Sequence, residues 1–217
     1  MQEEEGKDMW GRFKKGRLPV NDYGYWCSYE PTPLTVPEEF RERQWSDFKS
    51  ALQKVARAWV NGLPLDGVEY RNLMFRGAPG NGKSAAAWLT VVEYLIAKRP
   101  RSSKVFVIPF EEMMQTFSDA EGYGEFAMER SGKWHRAELL AIDDFGTRDP
   151  KTQARIGRLF HLLNDRWQNR RLTLISCNVP DDWIAANLDG ERTLDRIKGL
   201  VVNFTGASFR KHAEIAV

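Results

Sequence analysis

Eight consecutive residues, Gly77-Ala78-Pro79-Gly80-Asn81-Gly82-Lys83-Ser84, fit the pattern G-x-x-x-x-G-K-[ST], and each residue type answers a need of a polyphosphate. Glycines let the main chain curl with its N–H groups pointing inward. The Lys83 ammonium is placed for the β- and γ-phosphates, and the Ser84 hydroxyl is a ligand for Mg²⁺. Ala85 follows at the start of an expected helix, whose positive dipole end faces the anion. Gly77 through Ala85 are therefore the candidate residues for holding ATP or GTP, with Ser84 also a metal ligand.

A second pattern is Leu139-Leu140-Ala141-Ile142-Asp143-Asp144, a buried strand that ends in two carboxylates. One acid can hold the magnesium shell and the next can orient an attacking water, which assigns Asp143 to the metal and Asp144 to the water. Alone, such a sequence is an ordinary surface turn. About 60 residues after a phosphate loop it completes a hydrolytic site. The apolar run Leu172 to Cys177 leads into Asn178, a candidate for holding the same water or sensing the γ-phosphate, with a turn role before Val179-Pro180 as the alternative. Arg196 and Arg210 are candidates for neutralising the charge that grows on a transferring phosphoryl group. Surface pairing with Asp195 or Glu191 is the other reading of Arg196.

The elements that must position these groups follow from periodicity. Residues 70–76, 104–110, 138–143, 171–177 and 200–205 read as strands, separated by helical spans, and that alternation means a parallel α/β sheet with helices on both faces. Ser84 to Arg99 reads as the helix behind the phosphate loop. From Pro37 apolar residues recur at helical spacing (Phe40, Trp45, Phe48, Leu52, Val55, Trp59) until Asn61-Gly62 ends them. Residues 1–36 mix Gly, Pro, aromatics and both charges without a period, an arm expected to bind a partner. Residues 37–217 are expected to form one nucleotide-hydrolysing domain.

Composition narrows the class. With 42% hydrophobic and 29% charged residues and a net charge of +2 the chain is an ordinary globular one, and no apolar stretch approaches a membrane span. The acidic start Met1-Gln2-Glu3-Glu4-Glu5 lacks a signal-type core, so a cytoplasmic protein is expected. Cys27 and Cys177 show no metal-site spacing and are expected to be free thiols.

Taken together, the stretches Val36 to Arg41, Gly77 to Ser84, Leu139 to Gly146, Leu163-Asn164-Asp165-Arg166-Trp167, Leu174 to Asn178, Glu191 to Arg196 and Ser208-Phe209-Arg210 resemble the DnaC/IstB group of AAA+ ATPases. That group contains bacterial and phage replicative helicase loaders and the ATPase subunits of certain transposons. The resemblance implies a five-stranded AAA+ sheet, ATP as the nucleotide, and self-association into a spiral or ring. It makes Asn178 sensor 1, Arg196 an arginine finger reaching into the next subunit, and Arg210 sensor 2. It also implies that an insertion at about residues 111–136 touches single-stranded DNA, and that a hexameric helicase is the partner. A filament-forming transposition regulator on duplex DNA is the alternative.

Cations beside aromatics agree with a DNA-binding insertion: Arg130, Lys133, His135 and Arg136 near Tyr123, Phe126 and Trp134. Further clusters lie at residues 98–104 and 166–171. Two features depart from the group. Asp144 stands where many AAA+ proteins have Glu, which predicts slow turnover, and where the loaders of the group carry a sizeable helicase-binding domain this sequence shows the irregular residues 1–36.

Overall fold

A computed structural model describes residues 44–98, 104–121, 125–147 and 152–205. The arm with Cys27, the start of the expected first helix, residues 99–103, Tyr123 and Arg210 lie outside the described residues. Within them, a 3-10 turn (Trp45–Asp47) precedes α1 (Ser50–Asn61). The expected continuous helix is thus interrupted: the Asp47 carboxylate accepts the Gln44 N–H at 2.9 Å, a local bond that competes with helical pairing. Leu52, Ala56, Trp59 and Val60 bury one stripe of α1, and Gly62 at φ 69° caps its end.

The sheet comprises β1 (Asn72–Gly77), β2 (Val105–Pro109), β3 (Leu139–Phe145), β4 (Leu172–Cys177) and β5 (Leu200–Phe204). The strand order is β2-β3-β4-β1-β5 and every neighbouring pair is parallel. The parallel five-stranded sheet is the one expected from the sequence, and the structure adds the strand order. The helices are α2 (Lys83–Lys98), α3 (Phe110–Glu121), α4 (Glu125–Arg136), α5 (Gln153–Gln168), α6 (Asp181–Asn187) and α7 (Glu191–Ile197). No described helix is long and apolar enough to cross a membrane.

Period-two alternation divides the apolar residues between two cores. Leu73 and Phe75, Leu139 and Ala141, Leu172 and Leu174 pack with α1 and α2. Met74, Leu140, Ile142, Ile175 and Cys177 pack with the other five helices. Strands covered on both faces read as near-continuous apolar runs, which is why they were legible. Cys177 is a buried free thiol.

The second core corrects part of the DNA reading. Trp134 is 1% exposed and meets Phe117 edge-on, with centroids 5.8 Å apart. It is a core residue rather than a stacking platform. Arg166 is 0% exposed: its guanidinium donates to Thr173 Oγ1 (3.1 Å) and to the carbonyls of Trp134 (2.7 Å), Ala137 (2.9 Å) and Leu172, which ties the end of α4 to β4. Arg130 pairs with Glu112, and His135 and Arg171 both face Asp165. An amphipathic helix can turn a tryptophan or an arginine inward, and local composition does not show which way it turns.

Candidate nucleotide site

β1 lies between β4 and β5: the connection after β1 runs to β2 on one side and the connection after β4 runs past β1 to β5 on the other, which opens a crevice at the carboxyl ends of β1 and β4. The Gly77-to-Ser84 loop fills that end. Gly80 and Gly82 adopt φ of 83° and 87°, a region that favours glycine. At Gly77 the constraint is space: a Cβ would lie 2.3 Å from the Phe204 carbonyl oxygen of β5. Lys83 is 4% exposed and its ammonium donates to the Ala78 carbonyl at 2.7 Å, across its own loop. The Asn81 amide donates to the Phe204 carbonyl at 3.2 Å, tying the loop to β5. Helical pairing then begins with the Ala86 N–H on the Gly82 carbonyl at 2.9 Å.

Alternation carries two polar residues to the same face as α2. Asp143 follows Leu139 and Ala141, and Ser176 follows Leu172 and Leu174. The Ser176 hydroxyl donates to Asp143 Oδ1 and accepts the Asp144 N–H at 2.9 Å. One buried hydroxyl therefore bridges both acids. The register of β3 on β4 shifts between Ile142 and Phe145, a bulge of the kind that re-aims side chains beside active sites. Asp144 takes φ 51° there, which is uncommon for a non-glycine residue. Its carbonyl is held by the Thr147 hydroxyl at 2.7 Å.

The electrostatics distinguish the two carboxyls. Burial pushes the Asp143 carboxyl above the ordinary range and the neighbouring Asp144 adds to this, while the hydroxyls of Ser176 and Ser84 pull the other way. Ser84 and Asp143, the two candidate metal ligands, thus face each other across the loop and β3. Asp144 is exposed, and its Oδ1 accepts the Asn178 amide at 3.0 Å. The other end of that amide, Asn178 Oδ1, is buried with no hydrogen-bond partner. A buried acceptor left open at such a place fits a water or a bound group. Main-chain amides at glycine-relaxed positions, one lysine, a hydroxyl–carboxylate pair and an open acceptor suit a magnesium-bound triphosphate.

Sequence reasoning brought Lys83, Ser84, Asp143, Asp144 and Asn178 together, and the structure places them at one end of the sheet. It missed Ser176, whose signal was a lone hydroxyl beside the end of an apolar strand. It also missed Arg76, which precedes the loop and pairs with Asp181 at the start of α6.

Arg196 is elsewhere. Its carbonyl accepts the side-chain amide of Asn72, the first residue of β1, at 2.6 Å. Gly77 is the last residue of that strand, about 17 Å away at the rise of an extended chain. The Arg196 guanidinium is held by Asn164 Oδ1 at 2.7 Å, by Asp195, and by the Trp167 ring at 4.3 Å. It does not join the other candidates within one chain.

Comparison with known proteins agrees with the fold. The sequence model of a family described as IstB-like ATP binding protein matches residues 46–216. Among solved structures, DnaI superposes with a TM-score of 0.64 at 16% identity, over 88% of this chain and 100% of that one. The DnaC helicase loader gives 0.58 at 16% identity, over 76% of this chain and 99% of that one. AMPPCP-bound DnaA from Aquifex aeolicus gives 0.55 at 18% identity, over 71% of this chain. The match spans 45% of that DnaA, less than half its length. No curated protein matches the sequence.

Proposed function

The chain belongs to the IstB-like ATP binding protein family, and we propose that within it the protein is an ATP-hydrolysing, DnaC-like loader that assembles on single-stranded DNA and delivers a hexameric replicative helicase. The observation that carries the reading is the division of the site along β1. Phosphate loop and acids occupy one end of the sheet and Arg196 the other, so Arg196 can serve a nucleotide only in a second copy. Correspondence with DnaI and the DnaC helicase loader over nearly their whole lengths supports the loader reading further.

Within one copy, the loop amides and Lys83 bind the triphosphate. Ser84 and Asp143 would hold Mg²⁺, which when bound neutralises charge on the β- and γ-oxygens. Asp144, kept in place by Ser176 and Asn178, orients the attacking water and accepts its proton, and Asn178 Oδ1 accepts a hydrogen from that water. Arg196 of the adjoining copy offsets charge on the phosphoryl group as it transfers, and Arg210 is assigned to the same phosphates. With Asp144 one methylene shorter than glutamate, turnover is slow until assembly aligns the site.

The test is co-purification with a hexameric helicase, together with ATP turnover on single-stranded and duplex DNA. A loader retains helicase and is stimulated by single strands. The family match also supports a second reading, a transposition ATPase whose filaments coat duplex DNA, and duplex preference without helicase retention selects it. The arm of residues 1–36 is assigned to partner docking, and a chain lacking it that still retains helicase overturns that assignment.

A further inference from the structure

The Arg196 guanidinium is aimed before any partner arrives, and the aiming device includes an exposed indole. Trp167, in the last turn of α5, is 46% exposed, yet its ring lies 4.3 Å from the Arg196 Cζ. Asn164, less than one turn earlier, accepts from Arg196 Nε at 2.7 Å, and Asp195 pairs with the far end of the fork. Stacking, amide and carboxylate together fix the guanidinium plane. The rest of Trp167 stays in solvent, and Trp is the residue type most enriched where protein surfaces anchor one another.

The ground beside it is cationic. A hollow of about 400 Å³ adjoins Trp167, lined by Arg71 and Arg170, which share Glu69 as their ion-pair partner, and by Lys198, a net excess of positive charge. The opposite end of the same sheet presents Asp143, Asp144 and the start of α6, where Asp181 pairs with Arg76 and Asp182 follows, and a bound triphosphate would make it more anionic. Two unlike, complementary ends on one chain join head to tail, the contact that closes rings or propagates helices.

We infer that Trp167 is a positioning residue for Arg196 and the aromatic anchor of a head-to-tail contact with a second copy of this chain, at that copy's acidic, nucleotide-bearing strand ends. The inference rests on the trans role proposed above for Arg196.

The experiment uses the full chain and three readouts: affinity for a fluorescent ATP analogue, sedimentation of the ATP-bound assembly, and turnover as a function of protein concentration. Arg196→Ala is expected to lower assembly-stimulated turnover about 1000-fold. Trp167→Ala is expected to lower it about tenfold and to move assembly to higher protein concentration, with nucleotide affinity unchanged, and Trp167→Tyr to restore most of both. Mixing Trp167→Ala with Lys83→Ala copies is expected to recover turnover, because one supplies an intact pocket and the other an intact arginine end. If Arg196→Ala abolishes stimulation while Trp167→Ala matches the native chain, this inference fails and the trans reading stands. If neither changes stimulation, the trans reading fails as well. A loss of nucleotide affinity in Trp167→Ala makes the residue merely structural and also overturns the inference.

Discussion

Arg166 and Asp143 are charged groups sunk into opposite ends of one sheet, and the protein treats them in opposite ways. The Arg166 guanidinium is fully buried and serves four acceptors, three of them main-chain carbonyls. Burial pulls it down to about 9, so it remains charged at neutral pH. At the other end, Asp143 is pushed up by burial, Asp144 occupies a left-handed conformation, and Asn178 keeps an acceptor open. A buried charge whose hydrogen bonds are largely satisfied locks architecture, whereas groups left strained or with spare capacity are ready for a ligand.

That contrast can be broken by substitution. Arg166→Ala should be the most damaging, about 3–5 kcal/mol of stability measured by urea unfolding, because it strands carbonyls at the α4–β4 junction and opens a cavity. A loss under 1 kcal/mol would mean that Arg166 is not the bolt described. Asp144→Asn should leave the unfolding midpoint nearly unchanged while lowering kcat about 100- to 1000-fold with ATP binding spared. Equal loss of binding and turnover would place Asp144 in the binding machinery instead.

Ser176→Ala touches both themes and should cost about 1–3 kcal/mol of stability, since the Asp144 N–H and Asp143 each lose a buried partner. Threonine at 176 keeps the hydroxyl and should recover most of the loss. The smallest effect is a gain. The folded Asp143 carboxyl titrates above its reference value of 3.8. In that window the folded state holds the proton more tightly than the unfolded chain does. Its contribution to stability is therefore complete below the unfolded value and declines as pH rises through the folded one. At neutral pH the ionised group is a net cost in the nucleotide-free protein. Asp143→Asn should accordingly raise Tm by a few degrees in EDTA, by scanning calorimetry, while removing magnesium-dependent ATP binding. A fall in Tm would show that the two serine hydroxyls outweigh the burial.

Legibility tracked locality. The phosphate loop was readable to the residue because its chemistry is contiguous: the same nine positions supply the glycines, the lysine, the hydroxyl and the helix start. Strands covered on both faces announced themselves as apolar runs. The Ser176–Asp143 bridge joins positions 33 residues apart in sequence, and only the register of β3 on β4 brings them together. Arg166 and Trp134 were misread as surface groups because a helix with cations and aromatics looks the same whether they face solvent or core.

The amino-acid order by itself determined which groups could clasp a triphosphate and that a parallel sheet would carry them, since both follow from residue types at short, fixed spacings. Which cation became a structural bolt, which hydroxyl tied two acids together, and that Arg196 points away from its own chain's pocket were decided only when distant segments packed. Strand order and the burial of helix faces are sums over long-range contacts, and no short window of sequence contains them.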